Sequence, residues 1–141
     1  MLRAVDPTFG LKHPMAKPLP KSFHCATEFT LQVLGGKWKT VILCYLKQRP
    51  CRYTELRALI PKLSDKVLTE RLHDLAKSGL IVRVKGTAQS GREAYALTPK
   101  GRSLSALLHE LYDWGLSHAS VFDVEVGEPL KLLAKQGSLK K

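Results

Sequence analysis

Ser64, Lys66, Thr69, Glu70, His73 and Lys77 place hydrogen-bonding and charged groups at helical intervals along one short stretch. If that stretch is an α-helix, Leu68, Leu72 and Leu75 share one side. A 100° step per residue then puts Lys66, Glu70, His73 and Lys77 on the opposite side, with Thr69 at its edge. A lysine ammonium donates to guanine O6 and N7. A threonine offers its methyl to thymine or its hydroxyl to a phosphate, and a glutamate accepts from cytosine N4. Ser64 and the unpaired N–H groups at such a helix start suit a phosphate oxygen. The spacing alone also fits a merely solvated face, so the surroundings must decide.

Those surroundings are basic. Residues 47–102 hold 13 Lys and Arg against 5 Asp and Glu, within a chain of 141 residues carrying a formal charge of +11. Arg52, Tyr53 and Arg57 just upstream, and Lys85 and Arg92 downstream with Arg83 beside them, are candidates for clamping phosphates or entering a minor groove. The alternative for these residues is an ordinary basic surface, a reading that weighs more for Arg57 than for Arg92. A sequence pI near 9.8 points to a polyanionic partner, nucleic acid or an anionic membrane surface. No apolar run approaches the roughly 18 residues that a membrane span needs, and no apolar signal core opens the chain.

The elements that would hold these residues follow from punctuation and period. Four prolines, Pro7, Pro14, Pro18 and Pro20, make residues 1–21 an extended arm, in which Met15 is an alternative start. A first apolar helix ends at Gly35-Gly36. A second places Trp38, Val41, Ile42, Tyr45 and Leu46 on one buried face, flanked by Leu43 and Cys44. Thr54 offers an N-cap to a short helix that Pro61 stops. Ser64 caps the next, which ends before Gly79. Residues 80–84 and 94–97 read as the strands of a hairpin with a long tip. Thr98-Pro99 opens a long helix with a stripe of Leu104, Leu107, Leu108, Leu111, Tyr112 and Trp114, broader than one hairpin could cover. Helix, tight turn, helix, hairpin is the winged helix-turn-helix order, mainly α with a small β-hairpin, and its second turn helix is the one that enters the major groove.

Cys25, Cys44 and Cys51 have no paired spacing, which argues against a disulfide framework or a zinc ribbon and suits a reducing cytoplasm. No catalytic triad, phosphate loop or paired His and Cys ligand motif is present, so no enzyme activity, metal or cofactor is expected. The other reading of the fold is an adaptor that binds proteins without reading bases.

Cys25 and Glu28, Gly35-Gly36-Lys37-Trp38, Tyr53-Thr54-Glu55-Leu56-Arg57, residues 64–75, Gly79-Leu80, Tyr95 with Leu97-Thr98, Gly101-Arg102 and Trp114-Gly115 together resemble the HxlR family. The likeness covers residues 25 to 118. Ala26-Thr27 departs from the Pro-Val common after the cysteine, and residues 120–141 form an extension outside the likeness, leaving 22–119 as the domain. The resemblance implies a cytoplasmic bacterial regulator that binds a two-fold operator in double-stranded DNA as a homodimer. Dimerisation would run through the N-terminal and long C-terminal helices, which makes Phe29, Leu104, Leu108, Leu111 and Trp114 its interface. Repression is the simplest outcome. Cys25 matches a position that senses oxidants in some members, although a buried, inert cysteine is the commoner expectation. Cys51, beside Arg52, is the more exposed candidate to pair with it. A small-molecule effector remains the alternative signal.

Overall fold

The first described helix, α1 (Ala26–Leu34), is closed at its start by the Glu28 carboxylate, which accepts from the His24 N–H at 2.7 Å. The structure, a computed structural model, describes residues 18–85 and 93–127. Most of the 1–21 arm, the hairpin tip with Arg92 and the end of the 120–141 extension therefore lie outside the described residues.

Leu34 is the buried residue of α1. The chain reverses through Gly36 at φ 91° and Trp38 at φ 87° into α2 (Lys39–Gln48). α2 is the central element: Ile42, Leu43, Tyr45 and Leu46 are buried, and it packs against α4, β2 and α6, introduced below. Leu43, on the flank of that face, is fully buried, in keeping with a helix that is apolar nearly all round and covered on more than one side.

The helix-turn-helix consists of α3 (Tyr53–Leu59) and α4 (Asp65–Lys77). Thr54 does not cap α3 but lies inside it. The Glu55 carboxylate at the third helical position accepts from the Arg52 N–H at 3.1 Å and supplies the cap from within. Ser64 does cap α4, its Oγ accepting from the Val67 N–H at 3.2 Å. α4 leaves through Gly79, whose φ of 76° favours glycine.

The wing pairs β1 (Ile81–Val84) with β2 (Ala94–Leu97) antiparallel, Ile81 opposite Leu97 and Val84 opposite Ala94. Leu80, read as part of the first strand, precedes it, and its carbonyl accepts from the Thr98 N–H at 3.0 Å. Cys51 and Tyr95 exchange backbone hydrogen bonds of 3.0 and 2.7 Å, which fastens the α2–α3 connection to β2.

Thr98 Oγ1 accepts from the Gly101 N–H at 3.0 Å and donates to the Gly79 carbonyl at 2.6 Å. The expected single C-terminal helix is two: one turn, α5 (Pro99–Arg102), then α6 (Ser105–His118). The break falls at Ser103, whose hydroxyl donates to the Lys100 carbonyl. A serine that bonds its own backbone competes with helix continuation. A short 3₁₀ turn, Ala119–Phe122, follows.

At Gly101 the packing admits no side chain, since a Cβ there would stand 2.1 Å from the Leu80 carbonyl oxygen. Gly101→Ala is expected to destabilise the chain by about 2 kcal/mol or more, through the backbone shift it forces. Urea unfolding checks this, and an unchanged midpoint would contradict the close approach.

Candidate nucleic-acid interface

Leu68, Leu72 and Leu75 are fully buried or nearly so, which fixes the rotation of α4 about its own axis. Ser64, Lys66, Glu70 and Lys77 are exposed as a consequence, and Thr69 is half-buried at the edge. His73 is not on this surface. It is 7% exposed, because a 100° step gives direction about the axis and not what lies alongside it.

The turn between α3 and α4 is tied through Asp65. Its Oδ1 accepts from the Tyr53 hydroxyl at 2.7 Å and stands 2.8 Å from Arg57 Nε, while the Arg57 guanidinium also donates to the Leu63 carbonyl. Burial pushes the Tyr53 phenol up, against a hydrogen bond with Thr69 that pulls it down. Tyr53 and Arg57 thus hold the two helices at a fixed angle, and Arg57 offsets the one exposed carboxylate at the start of α4. Arg52 turns back to Glu55 at 3.1 Å, and Arg49 meets the same carboxylate at 2.6 Å. Partial burial raises the Glu55 carboxyl, but the Arg52 N–H and the two guanidiniums outweigh it and hold it below the usual range.

Within the turn of the motif, α4 and the described part of the wing, Lys62, Lys66, Lys77 and Lys85 are exposed and have no carboxylate partner among the described residues. Lys62, in the turn of the motif, is missing from the expected set, although a lysine between two capped helices was a legible signal. Arg83, on β1, pairs with Glu93 just before β2. Arg92 lies outside the described residues.

The cysteines divide by environment. Cys25 is exposed at the start of α1, where the backbone N–H groups of Glu28 and then Thr27 lower its thiol. Cys44 is half-buried and raised by burial. Cys51, expected to be exposed, is buried in its bridge to Tyr95, and burial pushes its thiol up to about 11. Its neighbour Arg52 suggested a surface turn, but that side chain, like Arg49, goes to Glu55, and the sulfur stays inside.

Of the expected interface stripe, Phe29, Leu111 and Trp114 are exposed and Leu104 is half-buried. Leu108 is 1% exposed and belongs to the core against α2, so it is not available to a second copy. Leu107, part of the stripe, is also exposed, and Leu31, Val121 and Phe122 are exposed apolar residues that the stripe did not include. Trp114 stacks on His118 with ring centroids 4.2 Å apart. Among the described residues no cluster of His, Cys, Asp or Glu could hold a metal ion, and no helix is long and apolar enough to cross a membrane.

Three helices, a wing and a polar, charged outward face on the second turn helix define a winged helix-turn-helix DNA-binding regulator. Residues 33–122 match the family model described as HxlR-like helix-turn-helix. YtcD of Bacillus subtilis, an uncharacterized HTH-type transcriptional regulator, is 40% identical over 98 residues, covering 70% of this chain and 78% of YtcD. The redox regulator HypR in its reduced form superposes with a TM-score of 0.64 at 30% identity, over 70% of this chain and 98% of that one. The reduced form of the regulator YodB from B. subtilis gives 0.57 at 31% identity, over 66% and 92%. The chain belongs to the HxlR family of transcriptional regulators.

The thiol environments generate a measurement. Cys25 is expected to be alkylated by iodoacetamide at neutral pH and to keep reacting below the pH at which a free thiol stops, because its lowered pKa preserves thiolate there. Cys51 should react only on unfolding. Mass spectrometry of the labelled native protein checks both, and faster labelling at Cys51 than at Cys25 would contradict the assignment.

Proposed function

We propose that the protein is a cytoplasmic homodimer whose two α4 helices enter successive major grooves, about 34 Å apart, and read an inverted repeat in double-stranded DNA, repressing transcription there. The observation that carries the reading is the division of α4: three leucines buried on one side, Lys66 and Glu70 exposed on the other. Lys66, Thr69 and Glu70 contact base edges. Ser64, Lys77 and Lys85, with Arg92, meet phosphates, and Arg52, Tyr53 and Arg57 hold the reading helix in place. The exposed apolar residues of α1 and α6, Phe29, Leu111 and Trp114, support dimerisation through those helices, with Leu104 at the margin. Residues 22–119 act as the folded unit between an arm and a C-terminal extension.

A redox input is supported by the exposed, lowered thiol of Cys25 and by the likeness to the redox regulator HypR. A peroxide-class oxidant would be attacked by the Cys25 thiolate. Its O–O bond breaks, one oxygen stays on Sγ as the sulfenic acid, and the remainder leaves reduced. Cys51 is not the partner here, being buried.

Titrating the DNA immediately upstream of the gene at several salt concentrations tests the reading. Lys66→Ala should weaken binding to that duplex by about 1–3 kcal/mol while barely changing binding to a scrambled one. Lys85→Ala should weaken both and lower the salt slope by about 1. Equal losses from both substitutions on both duplexes would contradict the division of labour.

A further inference from the structure

Beside α4 lies an open groove of about 560 Å³. Arg71, Asp74 and Lys77 of α4 line one side and Gly36 and Lys39, where the chain turns into α2, another, with α1 and the segment before it completing the lining. Arg71 Nε donates to the Lys37 carbonyl at 3.0 Å, which draws that turn against α4. The carboxylate in the lining, Asp74, stands 3.8 Å from Arg71 Nη1. Lys39 and Lys77 have no carboxylate within ion-pair distance among the described residues, so the groove is left cationic.

The position gives that charge a use. A major groove is about 12 Å wide and a helix with its side chains about 10–12 Å across, so a helix seated there brings the sugar-phosphate backbones against its flanks. Lys77 ends the outward face of α4 and also lines the groove, which is therefore one of those flanks. We infer that this groove is a second phosphate-binding site, in which Lys39 on α2, with Lys77, grips a phosphodiester of the duplex whose bases α4 reads. The inference rests on the DNA-binding reading above and adds an element outside the helix-turn-helix and the wing. Arg71 acts as a positioning residue, through the Lys37 carbonyl.

Lys39 stands at the first position of α2, where the helix dipole disfavours a cation and no acidic residue offsets it. Removing its charge is therefore expected to leave the folded chain as stable or more so, which separates a binding role from a structural one. The test is fluorescence anisotropy of the full chain on a duplex of scrambled sequence, since phosphate contacts are indifferent to sequence, between about 50 and 200 mM salt. Lys39→Gln should lower the slope of log affinity against log salt by about 0.9, with the thermal midpoint kept or raised, and Lys39→Arg should keep the wild-type slope. A slope unchanged in Lys39→Gln, while Lys85→Ala lowers it, would overturn the second site and leave the DNA-binding reading standing. Wild-type binding that ignores salt would overturn both.

Discussion

Everything on the DNA-facing side depends on the burial of three leucines on the other. Leu68, Leu72 and Leu75 are seated in the core beside Ile42, Leu43 and Leu56. Each such side chain contributes about 1.5–3 kcal/mol through burial, and truncating one leaves a cavity costing about 2–5 kcal/mol. Turning α4 by one residue would move these leucines about 100° away and press charged side chains into their place. The outward direction of Lys66 and Glu70 is thus set by what they oppose and not by any contact of their own.

Polar contacts refine this placement more than they stabilise it. Asp65 gathers Tyr53 and Arg57, yet its side chain is 72% exposed, and an ion pair so wet contributes only a few tenths of a kcal/mol to about 1 kcal/mol. Its effect is geometric, fixing the α3–α4 angle and offsetting a negative charge where phosphates would come. The Arg71 bond to the Lys37 carbonyl does the same between α4 and the turn before α2. Thr98 and Gly101 bring the end of the wing onto the exit of α4, so the two are tied together there.

The fold was legible wherever a local rule met no competitor. Ser64 and Thr98 cap as their types predict, Gly79 closes α4, and β2 begins and ends where the apolar pattern does, because each depends on a few neighbouring residues. Prediction failed where distant packing decided. Cys51 looked exposed from its charged neighbour Arg52, but pairing with Tyr95, far along the chain, buries it. His73 pointed outward by periodicity and is covered by tertiary structure. Leu108 could not be told from Leu111 and Trp114 along one stripe, since only the position of α2 decides which belongs to the core. Ser103 broke a helix that leucine spacing carried straight through. The cationic groove was beyond sequence reading altogether, for it joins Lys39 to Arg71 and Lys77 across two helices.

The central claim is that the polar face of α4 contacts DNA. An NMR titration of the isotope-labelled protein with the upstream duplex measures this most directly. The account predicts that the amide resonances of Lys66, Thr69 and Glu70 shift or broaden first and most, while those of His109 and Glu110 on exposed positions of α6 hold still. Resonances of α4 that stay fixed while the duplex is bound elsewhere would contradict it.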